Sequence, residues 1–178
     1  WDSLRRNNVV VRGDGERTLV LAHGFGCDQN MWSRLEPHLD GFRLVLFDYT
    51  GCGASDLSAF DPERYARLEG FAEDLGEICE ALDLSGATLV GHSVSSLIGL
   101  ISAIAAPARF SDLVMICPSA CFMNLPGYGG GFERADLEEM IALMDRNYIG
   151  WAHHLAPLVT GQPADGALSE ELAHSFCS

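Results

Sequence analysis

Four short, almost uninterrupted apolar runs constrain this chain more than any other feature: "TLVLAH" at 18–23, "RLVLFD" at 43–48, "ATLVGH" at 87–92 and "LVMIC" at 113–117. A strand wetted on one face alternates apolar with polar residues. A run that is apolar throughout is buried on both faces, the condition of strands in a parallel sheet covered by helices. Parallel neighbours need a crossover connection, usually helical, and the intervals have that character. After Asp61-Pro62, a capping residue followed by proline at the first helical position, apolar residues recur at Tyr65, Leu68, Phe71, Leu75, Ile78, Cys79 and Leu82. That spacing predicts a helix laid on the sheet and broken near Gly70. Leu97, Ile98, Ile101, Ile104 and Ala105 repeat the pattern directly after Ser93, and Met31, Trp32, Leu35 and Leu39 do so more weakly across Pro37. Val9 to Val11 add an edge strand, turned by "RGDGE". The expected class is α/β with a mainly parallel sheet.

The character changes at Pro118. A glycine-rich stretch, "LPGYGGGFE", leads into a helical stripe of Leu137, Met140, Ile141, Met144, Tyr148 and Trp151, with no further strand signal. The expected division is a core over 1–121 and a helical insertion over 122–178. The tip glycines carry no Lys-Ser or Lys-Thr, so no phosphate-cradling loop is expected. At 178 residues, 48% hydrophobic and 20% charged, the chain lies in the ordinary globular range. Its 25 acidic against 11 basic residues give a formal charge of −14, which repels nucleic acid and anionic lipid surfaces. The longest apolar stretch, Leu97 to Ala108, is interrupted by Gly99, Ser102 and Pro107 and falls short of the roughly 18 to 20 residues of a membrane span. Nothing near Arg5 and Arg6 resembles a secretory signal, so a cytoplasmic location is expected. The six cysteines form no Cys-x-x-Cys pair, fall mostly within apolar segments and are expected as reduced thiols. Adjacent His153 and His154 diverge on a helix, and no metal site or cofactor is expected. Starting at Trp1 and ending in "AHSFCS", the chain is expected to be a fragment.

One serine stands where chemistry is possible. Ser93 lies in Gly91-His92-Ser93-Val94-Ser95, between an apolar run and a helical segment. Gly-x-Ser-x-Gly on a sharp strand-to-helix turn exposes a serine as a nucleophile, and here Ser95 replaces the last glycine. A serine needs a base for its proton and donors for the oxyanion. The Val94 amide at a helix N-terminus supplies one donor. "HGFG", His23 to Gly26, follows the early strand and nominates the Phe25 amide as the other. The alternative is a plain helix cap, the commonest use of a serine at this position. His92 reads as a packing residue. "GCGAS" at 51–55 has the start of a dinucleotide fingerprint, but Asp56 stands where the third glycine belongs. It reads as a loop near the pocket.

Taken together, "HGFGCDQNMW", "LFDYTGCGASDL", "GHSVSSLIG", "GGFE" and "NYIGWA" resemble the small α/β-hydrolases that include the bacterial sigma-B energy-stress regulator and the plant karrikin and strigolactone receptors. The similarity is strongest to the bacterial regulator and runs over essentially the whole chain. It implies an α/β-hydrolase fold, incomplete at its C-terminus, with a helical lid over an apolar pocket. It also implies a Ser-His-Asp triad and a role in signalling as well as hydrolysis. It assigns the nucleophile to Ser93, the oxyanion donors to the amides of Phe25 and Val94, and pocket positions to Phe25, Phe122, Phe132, Trp151 and Leu155. In this fold the triad runs Ser, Asp, His, and the family places the last two after the lid. No residue here matches them, and His153, His154 and His174 lie on lid segments. The expected function is a serine hydrolase of a small hydrophobic ester or lactone, inactive as this chain alone. The alternatives are a ligand-binding module that activates a PAS-domain phosphatase, and an inactive fragment.

Overall fold

In the computed structural model, which describes residues 2–177, the apolar runs form one sheet. A short helix α1 (Asp2–Arg6) leads to β1 (Val10–Arg12), β2 (Arg17–Ala22), β3 (Phe42–Leu46), α2 (Leu68–Ala81), β4 (Ala87–His92), α3 (Val94–Ala105) and β5 (Phe110–Ile116). The spatial order is β1-β3-β2-β4-β5. β1 runs antiparallel to β3 as the expected edge strand, and every other pairing is parallel. Leu19 lies beside Leu44 on one side and Thr88 on the other, which sets the register of the three inner strands.

Both faces of the inner strands are buried. Val20, Ala22, Val45, Phe47 and Leu89 join Leu75 and Ile78 of α2 and Ile98 of α3 on one face. Leu19, Leu21, Leu44, Leu46 and Val90 gather around Trp32 on the other. β5 departs from the expectation. Its run is apolar like those of its neighbours, yet Val114 and Met115 are 45% and 38% exposed, and among the described residues β5 ends the sheet beside β4. No helix among the described residues is long and apolar enough to cross a membrane.

Three local expectations are corrected. The helix expected from Pro62 starts at Leu68 and runs through Gly70 unbroken; the break lies at Arg67, whose backbone is extended (φ −137°, ψ 157°), behind a 3₁₀ turn at Arg64–Ala66. Gly70 serves a close approach instead, since a Cβ there would sit 2.1 Å from the Arg64 carbonyl oxygen. Between β2 and β3 the weak helix across Pro37 is two 3₁₀ turns, Gln29–Trp32 and Glu36–His38. Pro37 lacks the N–H that a continuous helix would need. The single helical stripe after the glycines is two helices, α4 (Arg134–Arg146) and α5 (Tyr148–Thr160), interrupted at Asn147, whose side chain accepts from the Gly150 N–H as an N-cap.

The chain divides into two compact units, the first ending at Pro118 and the second beginning at Ser119. Within the second, α4 opens on a capping box between Glu133 and Asp136. α5 ends on Gly161 in the left-handed region, and α6 (Ala167–Phe176) packs against it, Phe176 lying 5.3 Å from Trp151 between ring centroids.

Candidate active site

β4 ends where the chain must reverse sharply into α3, and Ser93 is the residue that turns it. Its backbone lies at φ 57°, ψ −120°, a conformation that costs an L-residue about 1–3 kcal/mol and persists only where the surroundings enforce it. Here the Ser93 N–H is held by the Ile116 carbonyl at 2.8 Å. The turn is tight enough that a Cβ at Gly91 would lie 2.6 Å from the Ser95 carbonyl oxygen and 2.8 Å from the Ser96 nitrogen, so only glycine fits there. Ser93 makes no side-chain capping bond and is half-buried. Ser93 is thus the N-cap residue of α3 by position, but its hydroxyl is not used to cap the helix. The Val94 amide follows directly at the N-terminus of α3, among the donors a helix leaves without intrahelical partners.

The loop after β2 lies against this turn. A Cβ on Gly24 would come within 2.4 Å of His92 Nδ1 and 3.4 Å of Ser93 Cβ, so the loop packs against the serine at Gly24, the residue before Phe25. β4 and α3 thus place Ser93 and Val94 at one turn, and the loop after β2 reaches that turn at Gly24. Phe25 exposes 59% of its surface.

His23 is buried and accepts the Tyr49 N–H at Nε2 (3.1 Å). The proton is thereby assigned to Nδ1, which donates to the Gly24 carbonyl at 3.0 Å. Burial pushes its pKa down, against the opposing effects of that hydrogen bond and of Asp48 and Asp28, so the ring is neutral. His92 is also pushed down by burial, and its Nδ1 has no partner among the described residues. Ser95, fully buried, donates to the His23 carbonyl and is hydrogen-bonded to Tyr49 Oη at 3.0 Å. Sequence reasoning missed these contacts; the departure from glycine at 95 was the one available signal.

The "GCGAS" loop answers to a carboxylate. Asp48 accepts from the Gln29 N–H (2.8 Å), Asn8 Nδ2 (2.8 Å) and the Ala54 N–H (3.1 Å). A Cβ on Gly53 would meet Asp48 Oδ2 at 2.7 Å and Asp28 Cβ at 2.8 Å. Gly53 makes room for Asp48, whereas a Cβ on Gly51 would meet the Phe60 ring at 3.0 Å. Cys27 and Cys52 in the same loops are pushed up to about 12 and about 11 by burial, then by neighbouring acidic groups, and all six cysteines are free. No cluster of three or more His, Cys, Asp or Glu residues suited to a metal occurs among the described residues.

The remaining expected pocket residues lie in the second unit. Phe132 donates its N–H to the Phe122 carbonyl at 3.1 Å, pairing the two segments that carry those rings. Trp151 and Leu155, four residues apart on one face of α5, differ in burial: Trp151 is 2% exposed between Tyr148 and Phe176, and Leu155 is half-buried. Among the described residues no histidine or carboxylate is hydrogen-bonded to the Ser93 hydroxyl, and His153 and His154 are exposed on α5.

Comparison with known proteins agrees with the fold. The family model described as alpha/beta hydrolase fold matches residues 17–138. A karrikin insensitive 2 receptor of Petunia hybrida is 43% identical over 96% of this chain and 63% of its own length, and a strigolactone esterase of Arabidopsis thaliana is 40% identical over 94% and 63%. Among solved structures, a hydrolase from Oleispira antarctica superposes with a TM-score of 0.92 at 54% identity, covering 99% of this chain and 66% of that one. The chain spans about 63% of the length of these curated relatives.

Proposed function

Because the chain belongs to the alpha/beta hydrolase fold family, we propose that Ser93 is the nucleophile of a serine hydrolase acting on a small hydrophobic ester or lactone. One observation carries this reading: Ser93 occupies a strained, positive-φ turn at the strand-helix junction with its hydroxyl unused as a cap. In the proposed cycle Ser93 Oγ attacks the substrate carbonyl carbon and its proton passes to a base. The Oγ–C bond forms and the carbonyl oxygen becomes an oxyanion, held by the amides of Phe25 and Val94. Collapse breaks the C–O bond to the leaving alcohol, which takes up the proton, and water then hydrolyses the acyl-enzyme and restores Ser93. Phe122, Phe132, Trp151 and Leu155 are proposed as substrate-contacting residues on the strength of the family resemblance.

The family resemblance assigns the base to a histidine that follows the lid. None of the described histidines holds the Ser93 hydroxyl, so the 178-residue chain alone is proposed not to turn over. The test is intact-mass detection of adducts with an alkyl fluorophosphonate. The whole protein is expected to gain one adduct that Ser93→Ala abolishes, and this chain alone to react roughly a thousandfold more slowly. An adduct that survives Ser93→Ala overturns the assignment.

A second reading is favoured by the description of relatives as receptors: a ligand-binding module of stress signalling whose partner, following the resemblance to the sigma-B regulator, is a PAS-domain phosphatase. Partner activation that survives Ser93→Ala supports binding over turnover. Six unpaired thiols support a reducing compartment such as the cytoplasm.

A further inference from the structure

We propose that the Ser95 hydroxyl is a positioning group that, together with His23, aims the Phe25 amide at the oxyanion. The inference rests on the proposed role of Ser93. Packing asks only for a small residue at 95, and alanine or glycine would satisfy it. A fully buried hydroxyl instead costs free energy unless its hydrogen bonds are made, and Ser95 makes two, to the His23 carbonyl and to Tyr49 Oη.

Their placement gives them a consequence. The His23 carbonyl belongs to the peptide group joining residues 23 and 24. The Gly24 carbonyl belongs to the next peptide group, which it shares with the Phe25 N–H. Each peptide group is planar and trans, so its C=O and N–H point in opposite directions. Holding the Gly24 oxygen with His23 Nδ1–H at 3.0 Å therefore orients the Phe25 N–H away from the histidine. Ser95 anchors the preceding peptide at its own oxygen, and the Tyr49 N–H fixes the imidazole from the far side at Nε2. Two consecutive peptide planes are pinned from α3 and from the chain following β3. Gly24 itself, pressed against His92 and Ser93, has no side chain with which to hold its own position. The clamp attaches this loop to α3 two residues beyond the serine, so donor and nucleophile move as one body.

The test compares Ser95→Ala and Ser95→Gly with the parent in the whole protein, by the saturation kinetics of fluorophosphonate labelling and by NMR amide exchange at Gly24 and Phe25. Ser95→Gly restores the ordinary Gly-x-Ser-x-Gly pattern and covers the case in which the alanine variant fails to fold. Removing an oxyanion donor outright costs about 10²–10³ in rate; loosening one is expected to lower the maximal labelling rate roughly tenfold. The half-saturating probe concentration is expected to stay within about twofold, and exchange at Phe25 to accelerate. A labelling rate and exchange equal to the parent in the folded variants overturn the proposal. If the parent is not labelled at Ser93, the nucleophile reading fails separately, and unchanged exchange at Gly24 and Phe25 then rejects the clamp by itself.

Discussion

Two buried polar clusters tie the first unit together, and they are built from different materials. Around Asp74, fully buried on α2, the carboxylate accepts from Arg6 (2.9 Å), Arg64 (2.7 Å), Thr50 (2.7 Å) and Tyr65 (2.9 Å). Glu77 pairs with the same two arginines at 2.8 and 2.9 Å. This is a balanced ionic knot that fastens α1 and the Arg64–Ala66 turn to α2. At the serine turn, His23, Ser95 and Tyr49 form a neutral ring that holds one loop. A buried carboxylate stripped of its partners, or arginines stripped of theirs, costs several kcal/mol. A neutral hydrogen bond contributes about 0.5–1.5 kcal/mol. The knot therefore carries stability, and the ring carries orientation at small energetic expense.

The largest expected effect tests that separation. Asp74→Ala leaves Arg6 and Arg64 with Glu77 alone between them and strips Thr50 and Tyr65 of their acceptor, and is expected to lower the unfolding free energy in urea by about 3–5 kcal/mol. Labelling of Ser93 in the folded fraction should stay within about twofold of the parent; a matching loss of labelling would join the two regions into one. Next comes Gly91→Ala, whose Cβ meets backbone atoms of Ser95 and Ser96 that cannot yield. It is expected to cost about 1–3 kcal/mol and to slow labelling as well, because the strain falls on the turn that carries the serine.

Acid separates the clusters without mutation. Protonating His23 would place a proton at the nitrogen that accepts from Tyr49, and its pKa lies below the ordinary 6.5. The unfolded chain therefore binds this proton first. The stability His23 contributes is complete above about 6.5 and is lost as pH falls toward its folded pKa, at a slope of at most about 1.4 kcal/mol per pH unit. Burial pushes Glu77 up, but the hydrogen bonds of Arg64 and Arg6 outweigh it and hold the group below the ordinary 4.5, so its contribution is lost only at more acid pH. Urea titrations between pH 7 and 5 should show a decline, to which His92 also contributes because burial lowers its pKa too, that His23→Asn makes shallower; a decline unchanged in His23→Asn would place it elsewhere. The smallest effect is a gain. Ser93→Gly relieves the positive φ and is expected to raise stability by about 1 kcal/mol while abolishing labelling; a loss of stability would mean that the turn is not strained.

The strands were legible because burial on both faces writes itself as consecutive apolar residues, as in Leu19 to Ala22 and Leu89 to Gly91. The serine was legible because its turn needs small residues on one side and a helix on the other, both of which are local. Helix boundaries were less so. Tyr148 and Trp151 continue the period of Met144, but Asn147 makes a better cap than a helical residue. Arg67 interrupts its helix with no local signal, its backbone extended beside the close approach of Gly70 to Arg64.

By itself, then, the sequence determined the parallel α/β sheet, the placement of Ser93 at a strand-helix junction and the candidate donors at Phe25 and Val94. Periodicity and short motifs report what neighbours along the chain require of one another. Only the tertiary structure decided what Ser95 does, why Gly24 and Gly53 are glycines, and which nitrogen of His23 carries the proton. Each of those depends on groups that folding alone brings together: Ser95 with His23, 72 residues apart, and Tyr49 with His23, 26 residues apart. Hydrogen bonds over such separations leave no periodic trace in the sequence, because the geometry of the sheet, and not the order of the chain, selects the partner.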